Sequence, residues 1–168
     1  MLSRPLPFHD EIAASVHAPV ESVFTYFDEP KTLATHMSKS SMMMPGLHMT
    51  IDADADGGRS VGSRIRMKGR MMGISLSLEE VVTQRHAPYQ KMWETVGTPD
   101  LKVMAQYRMG FDLMPMGDLT NVRVYIDYCL PEIGPRSWLG RMFGGMYAHW
   151  CTKRMIDDAV KHFSSGGK

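Results

Sequence analysis

Cysteine is scarce in this sequence, and its spacing matches no metal or redox motif. Only two of the 168 residues are cysteines, Cys129 and Cys151, and they form no Cys-x-x-Cys pair. A chain of this length buries enough apolar surface to fold as one domain without a disulfide or a metal. We therefore interpret both cysteines as reduced packing residues.

An excess of one charge and long apolar runs are also missing. Nineteen basic residues face eighteen acidic ones, for a net charge of +1, so the chain has no long-range attraction to nucleic acid or anionic membranes. No run approaches 18 apolar residues, and residues 1–12 contain no apolar signal core. These absences predict a soluble, cytoplasmic protein with no nucleic-acid partner and no stable membrane insertion.

What the sequence does contain is an order of elements: one strand, a short helix, many strands and a long final helix. Residues 8–18 alternate in polarity as a half-buried strand does, and Pro19 then opens a helix that extends to Asp28. Residues 31–37 add a second short helix. Strand patterns fill 46–130, and Ser137 caps an amphipathic helix. One domain over 1–168 is predicted, with its core at about 8–164.

The strands are separated by turn signals. Apolar and polar residues alternate through 61–71, 89–96, 101–114 and 120–130, and hairpin turns are predicted within 51–61, at 72–73 and at 115–118. In 74–82 the period is disturbed at Glu79-Glu80-Val81-Val82, a possible site for a β-bulge. The pattern does not decide whether Glu79 or Glu80 faces the interior. For the final helix, the predicted buried stripe is Leu139, Phe143, Met146, Trp150, Ile156, Val160 and Phe163.

Three stretches carry a resemblance to a known superfamily. They are Ala-Pro-Val-Glu-Ser-Val-Phe at 18–24, Gly-Gly-Arg-Ser-Val-Gly-Ser-Arg at 57–64, and the tryptophan-bearing final helix. With the order of elements, they make nearly the whole chain resemble the START-like or SRPBCC superfamily, and in particular its bacterial polyketide cyclase/dehydrase and lipid-transport-like branch. The resemblance implies an α+β helix-grip fold: a curved antiparallel sheet of about six to seven strands wrapped around a long C-terminal helix.

The same resemblance implies a cavity between the concave sheet face and the last helix. We predict that it binds or carries a hydrophobic small molecule, such as a lipid, an isoprenoid or an aromatic polyketide-like compound, without chemistry and without a cofactor. An ordinary filled core is the competing interpretation, and it would leave an interaction module with a collapsed cavity. The predicted ligand-binding residues are Trp93, Tyr107, Met109, Phe111, Val124, Ile126, Tyr128, Met146 and Trp150. The predicted pocket rim is His36, Met42, Met43 and Met44.

An enzyme of the cyclase or dehydratase type is the alternative function. It requires a proton acceptor and a donor facing the same space, and the candidates are His149, Glu80, Tyr107 and Tyr128. No Rieske-type Cys/His pairs and no 2-His-1-carboxylate spacing occur, which excludes the oxygenase members of the superfamily.

Two loops raise the question of metals, although no metal site is predicted. Asp52, Asp54, Asp56 and Gly57 match the first half of an EF-hand loop, but its twelfth position is Ser63, so a solvated hairpin is favoured. The methionine-rich segment 36–49 offers the soft ligands that copper(I) accepts. A pocket rim or plain packing accounts for it better, because methionine suits adaptable surfaces.

A basic stripe is predicted on the outer face of the sheet. Arg64, Arg66, Lys68 and Arg70 share one side of the third strand. Such a stripe is typically neutralised by acidic residues on neighbouring strands, and Glu79 and Glu94 are the candidates here. Ligand identity, pathway and oligomeric state do not follow from the sequence.

Overall fold

The computed structural model describes residues 5–33, 48–71, 74–97, 99–101, 103–131 and 135–165. The predicted rim and most of the predicted second short helix lie outside these ranges, as does the turn predicted at 72–73. Within them, the chain forms a seven-stranded antiparallel sheet and three helices. The strands are β1 Phe8–Val16, β2 His48–Ala53, β3 Arg64–Met71, β4 Ile74–His86, β5 Gln90–Thr95, β6 Tyr107–Met116 and β7 Leu119–Tyr128. The helices are α1 Val20–Asp28, α2 Pro30–Leu33 and α3 Pro135–Ser165.

The sheet is open and curved, and its order is β1-β7-β6-β5-β4-β3-β2. Each strand from β2 to β6 pairs with the strand that follows it along the chain, as hairpin connections favour. β1 is the exception, because it pairs with β7, the last strand. The predicted helix-grip α+β fold is confirmed.

Alternating polarity places one face of this sheet inside. On β7 the even-numbered residues from Thr120 to Tyr128 are buried, and on β6 the odd-numbered residues from Tyr107 to Leu113 are buried. α1 adds Phe24 and Phe27, whose rings pack on Phe111 at centroid distances of 5.7 and 5.1 Å. These residues form one continuous hydrophobic core with the buried side of α3.

Helix α3 packs on the sheet through small side chains. Its backbone approaches β1 most closely and β7 next. A methyl group added at Gly144 would lie 2.5 Å from Leu130 Cδ2 and 3.2 Å from the Val103 carbonyl oxygen, so a larger residue there requires these neighbours to shift. Among residues 140–164 of α3, those that are buried are Gly140, Gly144, Ala148, Cys151, Thr152, Met155, Ile156 and Ala159. The predicted stripe was correct for Ile156 but wrong for Met146, which is 49% exposed.

The predicted strand over 101–114 was wrong in its first half. β6 begins only at Tyr107, and before it the burial alternation shifts, so that Met104 and Gln106 are buried instead of Val103 and Ala105. The Gln106 side-chain amide donates a hydrogen bond of 2.6 Å to the Gly97 carbonyl, which fixes this side chain inside. The polarity of the sequence did not reveal this contact between two loops.

The irregularity predicted at 79–82 is wrong in position, because these residues pair in regular register and the shift follows directly after them. The pairing of β4 with β5 shifts register between Val82 and Gln84. Upstream of the shift, Glu80 is buried and Glu79 lies on the outer face. The orientation that the sequence left open is therefore settled, with Glu80 inside.

Candidate functional site

Polar groups occupy the middle of one inward-facing row that crosses the sheet from edge to edge. The row follows from strand register: Glu80 pairs with Thr95, and Tyr107 pairs with Tyr128. Between these pairs, the Thr95 hydroxyl accepts a hydrogen bond of 3.2 Å from the backbone N–H of Tyr107. We call this set the transverse row. From β2 to β1 it consists of Ala53, Ile65, Glu80, Thr95, Tyr107, Tyr128 and Phe8.

Glu80 and Tyr107 meet across β5. The Tyr107 hydroxyl donates a short hydrogen bond to Glu80 Oε1. The two residues lie on β4 and β6, two strand spacings apart, or roughly 10 Å between their backbones. Thr95 stands between them on β5 and is fully buried, and its short side chain leaves room for the longer two to touch. The pair is the clearest polar feature of the interior.

Burial controls the protonation of this pair. Glu80 is only 4% exposed, and this burial raises its pKa from 4.5 to about 7, although hydrogen bonds from Tyr107 and Trp93 and the charge of Lys91 oppose the rise. Burial also raises the pKa of Tyr107 well above its usual value, and the neighbouring Glu80 carboxylate adds to the effect. Near neutral pH the glutamate therefore exchanges a proton readily while the tyrosine keeps its own.

Helix α3 contributes two further polar groups beside the pair. Burial raises the pKa of the Tyr147 hydroxyl well above its usual value, and Cys151 and Glu80 add to this rise. Burial likewise raises the pKa of the Cys151 thiol to about 12, so this sulfur is an unreactive thiol. Trp150 stacks on Tyr147 with ring centroids 5.9 Å apart. Sequence analysis did not single out Tyr147 for a role.

A buried ion cluster lies on the same inner face, farther along β4 and β5. Lys91 is 1% exposed, and its Nζ contacts Asp28 Oδ1 at 2.7 Å and the Asp28 carbonyl oxygen at 3.0 Å. Arg85 Nη2 donates to Asp28 Oδ2 at 2.8 Å, and its guanidinium lies 5.1 Å from the centroid of Phe24. Burial opposes ionisation of Asp28, but hydrogen bonds from both cations outweigh it and hold the pKa of the carboxyl below its usual value.

Most of the predicted ligand-binding residues lie together on the inner face. Phe111 and Val124 have no exposed surface, and Trp93 packs edge-on against Phe111 with ring centroids 6.4 Å apart. Met146 lies on the exposed side of α3, and Trp150 is half-buried. The predicted residues that are buried are Trp93, Tyr107, Met109, Phe111, Val124, Ile126 and Tyr128.

The four predicted acid/base candidates separate into three places. Glu80 and Tyr107 are in contact, whereas His149 lies at the surface, with its Nδ1 3.2 Å from Asp10 Oδ1. Thr152 donates to the other oxygen of Asp10, so this group fastens α3 to β1. Tyr128 stacks on Phe8 at 5.4 Å and forms no hydrogen bond with the pair. Only Glu80 and Tyr107 have the contact that proton transfer requires.

The acidic loop is held by its own hydrogen bonds. Asp54 Oδ1 accepts from the Ser63 hydroxyl, and Oδ2 accepts from the Arg64 N–H at 2.7 Å. These bonds lower the pKa of the Asp54 carboxyl and leave it committed to the hairpin. Across the ranges that the structure describes, no three His, Cys, Asp or Glu side chains are grouped so as to hold a metal ion.

The basic stripe is partly neutralised on the outer face. Arg64 Nη1 lies 2.8 Å from Glu79 Oε1, and Arg66 Nε lies 3.6 Å from the same oxygen. The predicted partner Glu79 is confirmed, whereas Glu94 lies beside Arg108 at 3.7 Å.

Comparison with known proteins supports the fold and leaves the branch open. No protein-family model and no curated protein matches the sequence. Solved structures match it over nearly its full length. A protein from Thermus thermophilus has a TM-score of 0.68 at 14% identity and covers 95% of this chain and 99% of its own.

Two plant proteins are also similar in structure. Norcoclaurine synthase from Thalictrum flavum has a TM-score of 0.65 at 13% identity, with 96% of each chain covered. The major latex-like protein 151 of Panax ginseng has a TM-score of 0.57 at 13% identity, with 93% of this chain and 99% of its own covered. At such identities the likeness shows the fold alone.

Proposed function

We propose that this protein binds a mostly apolar small molecule between the inner sheet face and α3, and that the Glu80–Tyr107 pair recognises a polar group on it. The observation that carries this proposal is the pair itself, which is buried beside the apolar and aromatic side chains of the core. Burying a carboxyl group is costly, and a fold that needed only stability would do as well with an apolar pair of the same shape. A polar ligand group supplies a reason for the pair to be there.

The surroundings of the pair suit a ligand with an extended apolar body. Trp93, Met109 and Ile126 form the next inward row beside the transverse row. Removing apolar surface from water contributes about 25 cal/mol per Å², so a contact of about 300 Å² contributes about 7 kcal/mol before the costs of association. The apolar body would thus supply affinity, and the pair would supply orientation.

Native mass spectrometry of freshly purified protein, followed by organic extraction, tests the binding proposal directly. A co-purifying apolar compound is the expected result. In parallel, the neutral dye Nile red is bound to the protein, and its displacement by a fatty acid, an isoprenoid alcohol and an aromatic polyketone is measured. The same assay is run with Trp93→Phe as the interior variant and Met114→Leu as the exposed control. A bare mass together with no dye binding would overturn the proposal and favour the collapsed interaction module.

A second candidate function is acid/base catalysis of the cyclase or dehydratase type. It is favoured by one observation, the contact of a carboxyl group whose pKa is about 7 with a tyrosine that keeps its proton. The Glu80 carboxylate would take a proton from carbon next to a carbonyl, and the Tyr107 hydroxyl would donate a hydrogen bond to the enolate oxygen.

Proton exchange in deuterated water separates this enzyme from a carrier. A soluble β-diketone is incubated with wild type, Glu80→Gln and the outer-face control Glu79→Gln, and deuterium uptake at the central carbon is followed by NMR. Catalysed uptake that is lost only in Glu80→Gln supports the enzyme. Equal uptake in all three proteins argues for carriage without chemistry.

Two further proposals concern where the protein is located in the cell and which branch of the superfamily it belongs to. In the described part of the chain, no helix is long and apolar enough to cross a membrane. A cytoplasmic location and membership of the polyketide cyclase branch are the accompanying proposals, supported by composition and by the motifs at 18–24 and 57–64.

A further inference from the structure

We propose that the ligand of this interior carries a protonated amino group, which forms an ion pair with Glu80. This inference rests on the proposed binding function and names the chemical class of the ligand: an apolar, partly aromatic or aliphatic amine. It is based on the contacts that each charged group on the inner side of the sheet makes.

The interior cations are already committed elsewhere. Lys91 donates to one carboxylate oxygen of Asp28 and to the Asp28 backbone carbonyl oxygen. Arg85 donates to the other carboxylate oxygen of Asp28. These contacts are 2.7 to 3.0 Å long, as expected of charge-assisted hydrogen bonds. Two cations therefore share one carboxylate, which leaves the cluster with a net charge of +1, and neither cation contacts Glu80.

Glu80, by contrast, has only neutral partners at close range. Its hydrogen-bond donors are Tyr107 and Trp93, and Lys91 acts on it only at a distance, as the weakest of its influences. Within the described ranges, no Lys, Arg or His side chain forms an ion pair with Glu80. A buried carboxylate without a cation in contact is unfavourable, and a bound ammonium group would provide that contact.

The aromatic side chains around Glu80 suit the same occupant. Tyr107 and Trp93 bond to the carboxyl, and Tyr147 from α3 interacts electrostatically with both Glu80 and Tyr107. Faces of such rings attract organic cations, and a carboxylate combined with aromatic rings is a recurrent way to bind ammonium groups. A lone carboxylate does not provide the several oxygen ligands that a metal ion takes, so an organic cation is the better match.

Three matched probes test this inference: 4-phenylbutylamine, 4-phenylbutan-1-ol and 4-phenylbutyrate. They share one apolar body and differ in the charge at its end. Their binding to wild type, Glu80→Gln and Glu79→Gln is measured at pH 8 by calorimetry. We expect wild type and Glu79→Gln to bind the amine at least about tenfold more tightly than the alcohol, and Glu80→Gln to lose this preference.

Other outcomes separate the two proposals. If wild type binds the alcohol as tightly as the amine, or prefers the acid, the ammonium inference is overturned and binding of apolar molecules stands. If the amine preference survives in Glu80→Gln, Glu80 is not its cause and the assignment is overturned. If none of the three probes binds although Nile red does, the ammonium inference is overturned and binding of apolar molecules stands. If Nile red also fails to bind, the proposed function fails with it.

A measurement on unmodified protein guards against misfolding of the variant. Lowering the pH from 8 to 6 protonates Glu80, whose pKa is about 7, while the probe amine stays charged. The other titratable groups that face Glu80 are Tyr107 from β6, Tyr147 from α3 and Lys91 from β5, and Lys91 is held by Asp28. The amine preference is expected to fall about tenfold over this range, and a constant preference would contradict the ion pair.

Discussion

Thr95 determines whether Glu80 and Tyr107 can touch. Its side chain is the shortest of the three and lies between them on the middle strand, fully buried. A larger apolar residue at this position would separate the carboxyl from the hydroxyl and leave both without their partner. The chemistry of the pair therefore depends on a residue that takes no part in it.

The pH dependence of stability reports the burial of Glu80. The pKa of Glu80 is about 7 in the folded state and 4.5 in the unfolded state, so the folded state binds the proton more tightly. This tighter binding stabilises the folded state at low pH, and the stabilisation is lost as the pH rises to 7. Relative to Glu80→Gln, wild type should lose about 2 to 3 kcal/mol between pH 5 and 8. Urea unfolding of both proteins at the two pH values measures this difference.

Glu79 serves as a control, because its contribution to stability depends on pH with the opposite sign. Hydrogen bonding to Arg64 lowers the pKa of Glu79 in the folded state, so its contribution to stability is present above its unfolded pKa and is lost as the pH falls. A loss of wild-type stability on raising the pH that persisted unchanged in Glu80→Gln would refute the assignment to Glu80.

Tyr107→Phe should raise the pKa of Glu80 further above 7. The tyrosine hydroxyl stabilises the ionised carboxylate, so its removal disfavours ionisation. Carbon-13 NMR of the glutamate carboxyl across a pH titration measures the shift. Tyr128→Phe is the matched control, because Tyr128 belongs to the same transverse row without bonding to Glu80, and a shift of the same size in that variant would contradict the explanation.

The close approach of α3 to the loops beside β7 depends on one of two adjacent glycines. Gly144→Ala should destabilise the protein by about 1 to 3 kcal/mol, because the added methyl group meets Leu130 and the Val103 carbonyl. Gly145→Ala should stabilise it by up to about 1 kcal/mol, because alanine favours helix and its nearest neighbour, the Tyr128 hydroxyl, is 3.4 Å away. Thermal unfolding of the two variants distinguishes them, and equal effects would argue against close packing.

The end of α1 is joined to β5 by charge. Lys91→Met should cost about 3 kcal/mol or more, because it removes one of the two cations that hold the buried Asp28 carboxylate. The double variant Asp28→Asn/Lys91→Met should lose less than the sum of the single variants. Lys153→Met breaks an exposed pair with Asp157 and should change stability by less than about 1 kcal/mol. Urea unfolding of wild type, the two single variants and the double variant measures this coupling. Additive losses of stability would refute coupling of Asp28 and Lys91.

Much of this architecture could be predicted from alternation, and the exceptions have physical causes. β1, β3 and β7 have one apolar side each, so parity predicted their faces. Glu79-Glu80-Val81-Val82 fits both orientations, and only the pairing of Glu80 with Thr95 on β5 decides between them. The buried side of α3 also carries small residues such as Gly144 and Ala148, so a search for large apolar side chains found Ile156 but missed these positions.

Across the sheet as a whole, amide protection should decrease toward β2. β6 and β7 pair on both sides and contain Phe111, Val122 and Val124, which have no exposed surface. β2 pairs only with β3, and its Thr50 and Asp52 are exposed. Hydrogen exchange followed by mass spectrometry should find β6 and β7 exchanging at least about a hundredfold more slowly than β2. Equal protection of β2 and of β6 and β7 would show that the sheet opens as a single unit.

The pairing of β1 with β7 affects the order of events during synthesis. β1 leaves the ribosome before the other strands, yet Phe8 pairs with Tyr128 and Asp10 bonds to Thr152, more than a hundred residues later. At about 5 to 20 residues per second, its partners emerge roughly 5 to 30 seconds after it. For that interval the earliest strand is an unpaired, half-apolar segment that only a chaperone or the growing chain can shield, and the last helix finally holds it in place.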